Sequence, residues 1–280
     1  MKEILAFACV IGAMCSQALA ETTKDVVYYP EDFQVSGDRE YANERCKLDV
    51  YRPDGLPEGA PAVVWFHGGG LSGGNRHIPS EFVDQKFLVV PVNYRLFPRA
   101  KCVEAIEDAA AAVAWTVKSI EKFGGDPKKV TVSGHSAGGY LTAMVGMDPR
   151  YLARHGLKNT DLAALYPISG QMTTHFQVVA ERETGEKGVA NNPLVIDEFA
   201  PLFHTTAPIS PIHLLVGDPE LEWPARVEEN ALLAAMLRRI KANQVEFHSY
   251  PGTNHGSCGP PSRAYIQAEL NKMAEAPAKD

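Results

Sequence analysis

A strand can turn into a helix within one residue only if the positions around the turn carry almost no side chain. Residues 130–144, VTVSGHSAGGYLTAM, meet that condition. An apolar run ends in Gly134-His135-Ser136-Ala137-Gly138, the pattern G-x-S-x-G, and a helical pattern begins at Ala137. Side chains two before and two after the serine would collide with the adjoining strand and helix. The strained turn lifts the Ser136 hydroxyl to the edge of a sheet and aims the Ala137 N–H at the place where an oxyanion would form. Such a turn commits the chain to a layered α/β architecture.

The rest of the chain fits that commitment. Strand-like runs fall at 26–29, 46–51, 62–66, 87–92, 130–134, 162–166, 212–216 and 245–250. The first two predict an antiparallel start, and the later, nearly continuous apolar runs predict strands covered on both faces of a mostly parallel sheet of about eight strands. Val103, Ile106, Ala110, Val113, Val117 and Ile120 step by three and four along one helix face. Gly124-Gly125-Asp126-Pro127 ends that helix, and residues 137–145 and 226–242 predict two more. Residues 169–204, irregular and rich in Gly, Asn and Pro, predict a lid-like insertion over the C-terminal edge of the sheet, where α/β proteins bind ligands. There is no internal repeat, so residues 21–280 are expected to form one domain with helices on both faces of the sheet.

The 280 residues carry 27 basic and 34 acidic side chains, a formal net charge of -7. That balance, with no basic run, excludes the footprint of a nucleic-acid binder. Lys2, the apolar stretch from Ile4 to Met14 and Ala18-Leu19-Ala20 have the layout of a signal peptide over residues 1–20. Export to a periplasm or the exterior is therefore expected, with cleavage after Ala20. No later run reaches the roughly 18–20 apolar residues of a bilayer span. Cys9 and Cys15 would leave with the leader. Cys46, Cys102 and Cys258 remain, either as thiols or with one pair bridged.

VVWFHGGGLSGGN (63–75) permits two chemistries. Gly68, Gly70 and Gly73 spell G-x-G-x-x-G, half of a dinucleotide fingerprint. That site needs a helix starting within the glycines and an acid about twenty residues on. Residues 71–79 read as a loop, and the next strand runs into Asn93-Tyr94-Arg95. The same glycines after a histidine suit an oxyanion loop. Ser136 then needs a base, and nine histidines compete. His67 and His135 are placed to hold backbone, and His248 lies within a strand pattern. His255, in a Gly-rich loop after the last strand, fits the order serine, acid, histidine. The acid should follow the strand at 212–216, where Asp218, Glu220 and Glu222 are available. No metal-ligand spacing occurs, and no cofactor is needed.

On LDVYRP (48–53), HGGG (67–70), VNYRL (92–96), the helix bearing Asp108, GHSAGG (134–139) and NHG (254–256), the chain resembles α/β-hydrolase carboxylesterases. Within that fold it resembles the hormone-sensitive-lipase-like and feruloyl or acetyl-xylan-esterase-like branch. The resemblance implies a serine-dependent ester hydrolase acting through an acyl-enzyme, with Ser136 as nucleophile and His255 as base. It implies Gly69, Gly70 and Ala137 as oxyanion donors. Relatives place an aspartate three residues after the glycine of the acid loop, where this chain has Glu220. Glu220 is therefore the expected acid, Asp218 the alternative, and Glu222 is expected to be a solvated acid near the next helix. Short-acyl, acetyl or feruloyl esters of carbohydrates are the expected substrates. The alternatives are an amide hydrolase of arylformamidase or prolyl-oligopeptidase-like type, and a binding protein on the same fold.

Overall fold

The computed structural model describes residues 20–189, 194–206, 208–242 and 244–276. Apart from Ala20, the expected leader lies outside them. The chain runs β1 (Glu21–Val27), α1 (Arg39–Arg45), β2 (Lys47–Arg52), β3 (Ala60–Phe66), β4 (Leu88–Val92), α2 (Cys102–Ser119) and β5 (Gly125–His135). It continues through α3 (Ala137–Met147), α4 (Pro149–Ala153), β6 (Ala164–Ile168), α5 (Phe176–Glu183), β7 (Ile212–Val216), α6 (Arg226–Arg239), β8 (Val245–Ser249) and α7 (Gly259–Glu275).

The eight strands form one sheet in the order β1-β2-β4-β3-β5-β6-β7-β8. β1 pairs antiparallel with β2, and β2 with β4; every later pairing is parallel. All residues of β3, β4, β6 and β7 are buried, as strands covered on both faces must be. The pleat still sorts them. Ala62, Val64 and Phe66 of β3 join the core under α2 and α3, while Val63 and Trp65 join a second core with Ile266 and Leu270 of α7. β8 closes one side of the sheet, and each of its five residues is half-buried.

The helix expected over 103–120 is α2, and Ile106, Ala110, Val113 and Ile120 are buried as the spacing requires. Its buried surface is wider than one stripe, because the chain near Tyr29 covers the face that carries Asp108. Residues 259–275 form α7, which the hydrophobic spacing did not mark. Pro260 and Pro261 occupy its first turn, where no intrahelical N–H is missed. Cys46, Cys102 and Cys258 are all free and buried.

One buried ion pair ties the end of β4 to α2. Arg95 and Asp108 side chains are both fully buried, 2.7 Å apart. The Asp108 carboxylate also accepts from the Arg95 backbone N–H at 2.9 Å and from the Tyr29 hydroxyl at 2.8 Å. Arg95 in turn donates to the Ser36 carbonyl at 2.6 Å. Removing one partner of such a pair strands the other charge, at about 3–5 kcal/mol. In urea unfolding, Asp108→Leu is expected to lose about that much stability, and the Arg95→Met/Asp108→Leu double variant less than the sum of the two single changes.

Candidate active site

The turn between β5 and α3 is as tight as the sequence requires. Ser136 has φ 58° and ψ -116°, a left-handed backbone strained for a residue with a side chain. Its N–H donates to the Ile168 carbonyl at 2.8 Å, tying the turn to the end of β6. A Cβ on Gly134 would lie 2.6 Å from the Gly138 carbonyl group, and one on Gly138 would strike the Phe66 carbonyl. The Ser136 side chain is left beside a cleft of about 570 Å³.

His255 reaches the serine from the loop between β8 and α7. Its Nε2 lies 2.9 Å from Ser136 Oγ. Two groups hold this loop from below. The His135 ring is pushed down to a pKa of about 4 by burial and by the neighbouring His255. The neutral ring spans to the His255 carbonyl, with Nε2 2.7 Å away. Asp218 accepts from the Gly252 N–H at 2.7 Å, and its own N–H donates to the Thr253 carbonyl at 2.8 Å. His67 stacks on Tyr94 with 4.3 Å between ring centroids and lies 2.6 Å from the Gly68 carbonyl, holding the glycine loop. Both histidines expected to hold backbone do so.

The acid at His255 is Glu222, and the expectation of Glu220 is corrected. Glu222 Oε1 lies 2.7 Å from His255 Nδ1. Glu220 is exposed, and its N–H donates to Asp218 Oδ1 at 2.9 Å. The cause is the shape of the turn. Asp218 caps it, and the Glu222 N–H returns to the Asp218 carbonyl at 2.9 Å, one helical turn on. Residue 220 is thereby carried to the outside of the turn and residue 222 back beneath the end of β7. The signal was present: Asp218-Pro219 is the opening of a helical turn, and a helical turn repeats after four residues, not two.

The Glu222 side chain has no solvent exposure. Burial pushes its carboxyl up, but hydrogen bonds from His255, Ser169 and the Trp223 N–H outweigh that and hold the pKa at about 2. Trp223 stacks on the His255 ring, centroids 3.9 Å apart and planes 13° from parallel. Neither Ser169 nor Trp223 was marked in the sequence, because no local pattern announces a partner more than thirty residues away.

The glycine loop runs along the cleft. Gly69 (φ 116°) and Gly70 (φ 62°) take backbone shapes that favour glycine, and no helix starts among residues 67–76. Among the described residues, nothing accepts a hydrogen bond from the N–H of Gly69, Gly70 or Ala137. The segment 169–204 supplies Phe176, Lys187, Gly188 and Val189 to the wall of the cleft. Its root is firmly packed, since residues 169–180 are all buried. No group of three His, Cys, Asp or Glu side chains able to hold a metal occurs among the described residues.

Glu222 makes stability depend on acid. Its carboxyl titrates near 2 when folded and near 4.5 when free, so its stabilising share is complete above about 4.5 and disappears as pH falls towards 2. Urea midpoints of the wild type and Glu222→Gln are expected to differ most at pH 6, to differ less at pH 3 and to converge only below about pH 2.

Residues 48–216 match the BD-FAE family, well over half of the chain. Among named relatives, the chain is similar to esterase LipC of Mycobacterium tuberculosis, 28% identical over 75% of this chain and 56% of that protein. It is 38% identical to carboxylesterase NlhH of the same species, over 34% of this chain and 32% of that one. The chain spans about half the length of the curated relatives it matches over most of its own. A truncated carbohydrate esterase from gut microbiota superposes with a TM-score of 0.72 at 16% identity, covering 93% of this chain and 99% of that one. A Pyrobaculum calidifontis esterase gives 0.66 at 24% identity, covering 93% and 88%. At these identities the likeness is one of fold. The family match ends at Val216, before Glu222 and His255, but takes in the glycine loop, the Ser136 turn and five of the eight strands entire, with all of β2 but its first residue. The chain thus belongs to the BD-FAE family and has the α/β-hydrolase fold.

Proposed function

We propose that this protein is a serine-dependent carboxylic ester hydrolase working through an acyl-enzyme. The observation that carries the reading is the relay from Ser136 Oγ to His255 Nε2 (2.9 Å) and from His255 Nδ1 to Glu222 (2.7 Å), opening on the cleft beside the glycine loop. His255 takes the Ser136 proton as the oxygen attacks the ester carbonyl, then returns it to the leaving alkoxide. The ester C–O bond breaks, and the acyl group stays on Ser136. Water, deprotonated by His255, attacks the acyl carbon; the acyl–Oγ bond breaks, Ser136 Oγ takes the proton back from His255, and the acid leaves. Glu222 fixes the Nδ1–H tautomer and stabilises the imidazolium. The N–H groups of Gly69, Gly70 and Ala137 receive the charge on the carbonyl oxygen.

The substrates we propose are short-acyl, acetyl or feruloyl esters of carbohydrates. Support comes from the relatives named as esterases, from the carbohydrate esterase that shares the fold, and from cleft walls built from Phe176 and Trp223. Export is proposed as well. β1 begins at Glu21, so cleavage after Ala20 would leave the first strand whole.

Three experiments test this. On p-nitrophenyl esters, Ser136→Ala is expected to lose about 10⁴- to 10⁶-fold in turnover and Glu222→Gln roughly 10³- to 10⁴-fold. Glu220→Gln should stay near the wild type; a reversal between the two glutamates would remove Glu222 from the mechanism. Faster turnover of peptide or formyl amides than of esters would overturn the ester reading. For export, mass spectrometry of the native protein should find Glu21 at the N-terminus, and an intact Met1 on cytosolic protein would refute it.

A further inference from the structure

We propose that Ser169 is a positioning residue, a fourth member of the relay that holds Glu222 and the protonated edge of His255 together. This inference rests on the ester-hydrolase reading for its consequence in turnover, though not for its geometry. Ser169 follows β6 directly and is fully buried. Its Oγ lies 2.6 Å from Glu222 Oε2 and 2.9 Å from His255 Nδ1. Glu222 Oε1 is the oxygen that faces His255, so Ser169 serves the oxygen that His255 leaves free.

Counting protons assigns every bond. Ionised Glu222 can only accept, so the single hydroxyl proton of Ser169 goes to Oε2. The remaining Oγ lone pairs face Nδ1 of His255, which must then carry the hydrogen. That hydrogen is shared between Glu222 Oε1 and Ser169 Oγ, and Nε2 is left bare to accept from Ser136. When Nε2 takes the Ser136 proton, the charge on the imidazolium meets two acceptors on its far side. Without the hydroxyl, Glu222 Oε2 would keep only the Gly217 N–H at 3.3 Å and the distant Cys258 thiol at 4.0 Å, while Oε1 kept His255 and the Trp223 N–H.

The backbone supplies a second, independent observation. Ser169 has φ 46°, in the left-handed region where glycine is at ease and a side chain is strained. Its N–H donates to the Leu215 carbonyl at 2.7 Å, and its carbonyl accepts from Arg226 at 2.6 Å, so the neighbouring strand and α6 hold it there. Glycine would satisfy both bonds without strain. What serine adds at this position is the hydroxyl alone.

Ser169→Gly and Ser169→Ala, made in the full chain, separate position from packing. Both remove the hydroxyl, whereas only glycine releases the backbone, so the glycine variant should melt above the alanine variant. Turnover of p-nitrophenyl acetate is expected to fall by about 10- to 100-fold in both, the range of a lost hydrogen bond to a charged group. KM should hold, because Ser169 does not line the cleft. In proton NMR, the downfield His255 Nδ1 resonance of the wild type should shift or broaden away in both variants, with or without substrate. Full turnover and an unmoved resonance in Ser169→Gly would overturn the proposal. So would a turnover loss confined to the less stable alanine variant. A wild type that cleaves no ester, with the resonance still displaced in both variants, would instead sink the ester-hydrolase reading and leave the positioning role standing.

Discussion

The site depends on a contact between main chains. At the end of β5, the backbone of Gly134, Ser136 and Gly138 passes against the Phe66 carbonyl of β3 and the Ile168 carbonyl of β6. No side chain fits in that space, so neither strand can shift without moving the serine. The strain at φ 58° is held by a fully buried parallel sheet on both sides, which is what lets an unfavourable backbone persist. His255 and Glu222 come from loops that follow β8 and β7, and they meet the serine because those strands end on the same edge.

Most of this frame was legible because it rests on local pattern. The runs that became β3, β4, β6 and β7 are nearly continuous apolar runs, because a strand buried on both faces has few polar positions, here His213 in β7. G-x-S-x-G was legible for the same kind of reason, since the collision that demands glycine is decided within five residues. α7 was harder to see. Its buried stripe is narrow, with only Ile266 and Leu270 among its large apolar residues fully inside, and two prolines at its start look like a breaker until they are placed in the first turn. α5 was hidden in the same way, as one short helix within a stretch read as irregular.

The acid was misplaced because counting residues assumes a conformation. Three residues past Gly217 reaches the histidine if the loop runs extended. Here Asp218 winds it into a helical turn, and two further residues are needed to come back to the sheet. Glu222, with its extra methylene, then closes on His255 from inside the protein, desolvated but met by several donors. The extra donors are what let a buried carboxyl stay ionised. Ser169 belongs to this compensation, and its distance in sequence kept it out of sight.

His135 gives the second position of the motif a further use. The residue between Gly134 and Ser136 is free to vary as far as the tight turn is concerned. In this chain its imidazole spans from the elbow to the backbone carbonyl of His255, so the Ser136 turn and the His255 loop are joined by a strut one side chain long. β8 is an edge strand, half-buried throughout, and edge strands fray first. The strut references His255 to the centre of the sheet instead of to that edge. Loosening of that border would therefore reach the outer loops of the molecule before it reached the gap between Ser136 Oγ and His255 Nε2.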